Sequence, residues 1–353
     1  MRLAAAWGLL LLASCVAPFE GGYWPEWRGP RRDNFCKETG LLKQWPEEGP
    51  ALVWTVEGIG TGIAGIAVAG GRIFAMGFQG EAEYLTALDE RCGERLWATP
   101  IGSTKGRIDH PSMRWLLQRA PTVDHDRVYA FSGDGVLSCL DVSDGRVLWR
   151  KSHVDDLGGR AVAWGMCDYP LIDGERVVTV VDGDAPSLTA LEKRTGQVLW
   201  QTPTPPSVNE SSWSGQCAAT IVTEAGGVRQ IVAILRNGAY GFRAEDGKLL
   251  WHHEVVDTGQ FRFPRTPLVL DDSLILLNGW IGGLIRLNLA RSASGVDATV
   301  QYADQKMNQL FTQDSAVQVG GFVYSLLNPT RLVCLDAASG KVVWSVRYSW
   351  RGN

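Results

Sequence analysis

The chain has 353 residues, of which 45% are hydrophobic and 20% charged, with a formal net charge of −4. That length is enough for a large buried core, and mild acidity without a basic stripe argues against a nucleic-acid partner. Glycine (41) and tryptophan (15) are abundant in a sequence that alternates apolar and polar residues, which suits an all-β chain.

Residues 1–14 read as a signal peptide, with Arg2 as the positive start and Leu3 to Ala13 as the apolar stretch. The stretch is too short to span a bilayer as a helix. It ends in Leu12-Ala13-Ser14-Cys15, the form of a bacterial lipobox, so Cys15 is the expected acylation site. Val16 follows, without the Asp that retains many such lipoproteins in the inner membrane, so a periplasmic, outer-membrane anchorage is expected. Residues 15–50 are then an anchor linker and N-terminal cap, and residues 51–353 form the body. Leu52-Val53-Trp54 reads as the outermost strand of a blade.

The body repeats one pattern. Leu88-Asp89-x3-Gly93-x3-Trp97 recurs from Leu140 to Trp149, from Leu191 to Trp200 and from Phe242 to Trp251. A degenerate copy starts at Leu287-Asn288, and the last runs from Leu335 to Trp344. Trp97, Trp149, Trp200 and Trp251 are 52, 51 and 51 residues apart, a period that marks a propeller or a tandem array. Within one unit, Ala120–Val123, Arg127–Ser132, Val136–Leu140 and Arg146–Trp149 read as four strands joined by tight turns. Corresponding second strands begin at Arg72, Arg176, Gln230, Leu274 and Phe322. The expectation is an all-β propeller of four-stranded antiparallel blades. Trp54, Trp97, Trp149, Trp200, Trp251 and Trp344 would dock blade on blade, each contributing about 1.5–3 kcal/mol by burial. Six complete blades are visible and an intact ring of seven or eight is expected, so the sequence reads as C-terminally truncated.

Chemistry is sparse. There is no His-x-His, Cys-x-x-Cys, His-Glu-x-x-His or Gly-x-Ser-x-Gly. His110, His125 and His153 fall in predicted loops, and His252-His253 on a solvated outer strand. Cys139 and Cys334 share a repeat position, two before the Asp, where other copies carry Thr86 or Thr189, and read as buried thiols. The loops that lead to the innermost strands bring Arg119, Trp164, Asp168, Ser212, Trp213, Arg262 and Arg265 towards the axis. Arg and Trp recur at contact hot spots, so these seven are the candidate rim for a protein, peptide or glycan partner, with channel filling as the alternative.

The repeat Leu-Asp-x3-Gly-x3-Trp resembles the tryptophan-docking repeat of quinoprotein-dehydrogenase-like propellers. That group holds pyrroloquinoline quinone (PQQ) dehydrogenases and the non-enzymatic outer-membrane assembly lipoprotein BamB. The likeness covers roughly residues 23–349. Trp24-Pro25-x-Trp27-Arg28-Gly29-Pro30, Thr39-Gly40-Leu41-Leu42, Gly226 to Val232 and Pro264-x-x-Pro267 are similar to segments of BamB-like members. The resemblance implies either a non-catalytic envelope scaffold or a PQQ- and calcium-dependent oxidoreductase, the quinone lying at the central end of the propeller. A carbohydrate-binding propeller is a third alternative. No Cys-Cys pair and no matching metal or base carboxylate occurs, so a cofactor-free scaffold is expected: monomeric, without PQQ, calcium or catalytic residues, touching the membrane only through its anchor.

Overall fold

The computed structural model describes residues 22–62, 64–103, 119–160, 166–181, 188–202, 218–235, 238–254, 266–278, 283–293, 295–304, 316–326 and 331–347. Its strands form six four-stranded sheets, each an antiparallel meander in chain order. Blade 1 runs outwards through Ala67–Ala69, Arg72–Gln79, Ala82–Asp89 and Arg95–Ser103. Blades 2 to 6 follow the same plan over 122–152, 171–201, 221–254, 268–304 and 317–347. This is the propeller architecture the repeat predicts. The second strands begin at the expected residues, apart from blade 5, where Ser273 precedes Leu274. The ring is not closed between blade 6 and blade 1, and the outer strand of blade 6, Val342–Arg347, is exposed along its whole length.

The core lies between blades. Phe74, Leu85 and Ala87 of blade 1 pack with Val128, Ala130 and Leu140 of blade 2, and equivalent clusters join the later pairs. The repeat motif explains the joints. Its leucine is buried, as at Leu140 and Leu191. Its Asp closes the turn: the Asp141 carboxylate accepts the Ser143 N–H at 2.8 Å, and the Asp141 carbonyl accepts the Gly145 N–H at 2.9 Å. Its glycine takes a left-handed φ of 72° at Gly145, where an added Cβ would lie 2.5 Å from the Trp97 ring of the preceding blade. The Trp97 indole N–H then donates to the Val142 carbonyl of the same turn at 3.1 Å. Trp149 meets Gly196 and the Lys193 carbonyl in the same way, and Trp54 meets Gly93 and the Glu90 carbonyl.

The remaining joints vary the theme. Trp200 packs on Gly247, but its indole nitrogen has no partner among the described residues. Trp251 is buried against Leu287, Leu289 and Val296 of blade 5 and donates to Gln230 of its own blade at 2.5 Å. Trp344 lies 40% exposed at the open end.

Two sequence expectations are corrected, and the reading of blade 5 is sharpened. The copy at Leu287 is degenerate in sequence but complete in structure: the outer hairpin is lengthened, and Tyr302 stands opposite Arg286 just as Trp149 stands opposite Cys139. Its hydroxyl donates to the Ala337 carbonyl at 3.0 Å and its ring covers Gly340. Cys139 and Cys334 are indeed buried, but their counterparts are Ala87, Ala190 and Gly241, not Thr86 and Thr189. A register shift at this point in every blade sets a small residue or Cys opposite the ring, except for Arg286 in blade 5. Residues 51–58 form no strand, and no described strand pairs with the Trp54 segment.

The socket can be tested by adding one methyl group. Gly145→Ala combines a left-handed backbone with a ring clash and should lower stability by about 2–4 kcal/mol. Gly320→Ala, at φ 57° with open space around it, should cost about 1–2 kcal/mol. Urea denaturation of both variants checks this; equal losses would remove the indole as the reason for the glycine.

Candidate functional site

Residues 24–34 form an arm that reaches the innermost strand, or the residues leading into it, in all six blades. In blade 1 the Trp24 N–H donates to the Val68 carbonyl at 2.8 Å, and the Val68 N–H returns a bond to Trp24. In blade 2 the Val123 N–H donates to the Pro25 carbonyl at 2.7 Å. Trp27 stacks on Tyr169, 4.9 Å between centroids, beside Ala120 and Ala219. The Arg32 guanidinium donates to the carbonyls of Tyr169 (3.2 Å) and Pro170 (2.6 Å) at the entrance to blade 3, and of Thr220 (2.8 Å) at blade 4. Arg28 donates to Thr266 (3.4 Å) before blade 5 and Ala316 (2.7 Å) before blade 6. Both arginines are 3% exposed. Glu26 balances the Arg32 charge at 2.5 Å.

Two further buried clusters surround the arm. Arg119, 2% exposed, pairs with Glu83 of blade 1, 1% exposed, and donates to the Met166 carbonyl at 3.3 Å. Glu83 also accepts the Gly133 N–H at 2.8 Å, so the pair braces blades 1 and 2. Burial raises the Glu83 carboxyl above its usual range despite the guanidinium. In the second cluster the Thr179 hydroxyl donates to Asp168 and meets the His153 ring at 2.8 Å. Asp168 accepts the N–H of Tyr169 (2.8 Å) and of Val180 (3.2 Å). Desolvation pushes Asp168 up to about 6 and His153 down to about 3.

Two of the seven rim candidates are described: Arg119 and Asp168 are both buried and bonded to neighbouring residues. Trp164, Ser212, Trp213, Arg262 and Arg265 lie outside the described residues, as does Cys15. His153, expected in a loop, follows the outer strand of blade 2 but is wholly buried, its ring 4.5 Å from that of Phe131. Sequence reading missed Arg28, Arg32 and Glu83; the only signal was the crowding of Arg with Trp, Gly and Pro from residue 24 onwards.

Beside the arm opens a cleft of about 700 Å³, walled by the inner strands of blades 3 to 6. Ile172, Val222, Val269 and Val319 supply its apolar surface. Its charges are paired at the rim: Arg31 with Asp33 at 2.8 Å, and Arg229 with Asp173 at 2.5 Å.

The family of the outer membrane protein assembly factor BamB matches residues 46–153 and 81–263. The chain belongs to this family. BamB of Moranella endobia is 25% identical over 281 residues, covering 71% of this chain and 62% of the relative. BamB of Bordetella pertussis is 25% identical over 262 residues, covering 72% and 58%, and BamB of Burkholderia pseudomallei 28% over 138 residues, covering 39% and 32%. The chain thus spans less than two thirds of the length of these relatives. Among solved structures, BamB from Moraxella catarrhalis superposes with a TM-score of 0.58 at 16% identity, covering 84% of this chain and 77% of that one. A europium-containing methanol dehydrogenase gives 0.58 at 14%, covering 80% and 68%. At such identities the structural likeness carries the fold alone. A quinone with its metal would need the axial space and converging oxygen ligands. Arg28 and Arg32 of the arm are bonded to the carbonyls that lead into the inner strands, and no group of three or more His, Cys, Asp or Glu side chains converges among the described residues. The described residues of this BamB-family chain do not fit such a group.

Two measurements follow. Arg119→Met alone strands a buried Glu83 and should cost about 3–5 kcal/mol, whereas adding Glu83→Leu should restore much of the loss. A double variant no more stable than the single one would refute the pairing. For His153, the depressed folded value means stability present above about 6.5 and lost as pH falls towards 3. Asp168 has the opposite sign: its contribution is complete below about 3.8 and lost as pH rises through about 6. The stability gap between wild type and His153→Gln should therefore shrink as pH falls from 6.5 to 3, read by thermal melts; a constant gap would count against a buried neutral imidazole.

Proposed function

We propose that the chain is a non-catalytic, cofactor-free scaffold of the bacterial envelope, BamB-like, that docks a protein partner during assembly of outer-membrane proteins. The observation that carries this reading is the family match, which runs through blades 1 to 4. The geometry supports it: the axis, where a quinone would lie in a dehydrogenase, holds two arginines bonded to backbone carbonyls. In this reading the protein is exported, works as a monomer and is held at the outer membrane by acylated Cys15.

The docking face is the cleft beside the arm. Val269 and Val319 are 39% and 44% exposed there, giving an apolar centre within a rim of paired charges, the anatomy of a protein interface.

Val269→Arg and Val319→Arg sit at exposed positions and should leave the melt unchanged while weakening capture of an outer-membrane assembly protein by about tenfold or more. Titration of the purified pair checks this. Undiminished binding by both variants would remove the cleft from the interface, and dye-linked alcohol oxidation after loading with PQQ and calcium would overturn the scaffold reading itself.

A further inference from the structure

We propose that the propeller axis is a peptide-binding site with two guanidinium pockets, and that residues 24–34 fill it in cis as a built-in ligand. Among the described residues the arm contributes no strand to the six sheets, and its one ladder-like contact there is the bridge from Trp24 to Val68. It holds its own shape through local turns, from Gly29 to Glu26, Arg32 to Gly29 and Asn34 to Arg28. Gly29 is needed there, since an added Cβ would lie 2.8 Å from the Trp24 ring. Residues 35–58, which tether the arm to blade 1, form no strand and are almost wholly exposed.

The receiving surface is made of backbone. Two carbonyls face Arg28 and three face Arg32, and all five belong to residues just ahead of an inner strand. Buried carbonyls in such a ring need donors. A guanidinium offers five N–H donors in a planar fork, which no other side chain does. Arg28 and Arg32 also adopt left-handed φ values of 66° and 54°. Such a backbone is strained for a residue that carries a Cβ and persists only where the surrounding contacts over-determine it. Tyr169 adds a flat surface that stacks an indole. The ligand class is therefore a short peptide with two arginines four residues apart and a tryptophan immediately before the first. The arm also forms one side of the partner-docking cleft, through Glu26, Arg31 and Arg32, but the peptide site is argued from the ring of carbonyls and does not depend on that reading.

The test uses the full chain with a protease site set into the exposed tether, between Gly40 and Glu48, and cut in the folded state. The severed arm should remain bound and exchange with a fluorescent synthetic peptide of residues 22–38, with the ring's near-ultraviolet circular dichroism unchanged. Arg28→Lys or Arg32→Lys placed in the synthetic peptide, where it cannot harm the propeller, should weaken competition by about tenfold or more. Release of the arm from a ring that stays folded would overturn the proposal. So would unfolding on cleavage, failure to exchange under excess peptide, or equal competition by the lysine peptides.

Discussion

An aromatic ring lying on a turn that has no Cβ holds this molecule together. Each copy but the last gives a ring to the next blade, and the first blade receives Trp54 from the segment ahead of it, so the joints are shared between neighbours. The turn must be left-handed to aim its carbonyl at the indole, and it must be bare to let the ring approach. Leu-Asp-x3-Gly-x3-Trp thus encodes a joint as well as a blade: Leu anchors it, Asp folds it, Gly clears it and Trp passes to the neighbour. Tyr302 shows what the joint requires, a flat ring with a polar tip that reaches the Ala337 carbonyl.

Because the joint is written in side chains, it was legible. The period, the four strands per blade and the starts of the second strands all followed from turn residues and alternation. Blade 5 was harder to read: its long hairpin moves the ring to Tyr302, and a Trp-based pattern has nothing there to find. The misalignment of Cys139 with Thr189 is a slip of one position: two residues before the motif's acid stand Cys139 and Ala190, and Thr189 lies one further back, on the alternate face of the strand.

The centre was far less legible, for a different physical reason. Arg28 and Arg32 bind backbone carbonyls, and a carbonyl carries no signature of the residue that owns it. Arg119 drew attention by its type, yet its partner Glu83 sits 36 residues away on a strand with nothing else to mark it. Asp168 and His153 look like chemistry in one dimension. In three they are bridged by Thr179 and sealed from water, which displaces both from their usual titration ranges and leaves them as bracing.

The arm also sets an order of events in time. The acceptors of Arg28 lie 238 and 288 residues further along the chain. Synthesis delivers the arm well before those carbonyls, so the joints between blades can form one after another before Arg28 finds its acceptors. Contacts of such long sequence separation form slowly, because a large loop must close before they bring any return. Residues of the arm that are made early are therefore satisfied late, after the carbonyls ahead of blades 5 and 6 have been brought to them.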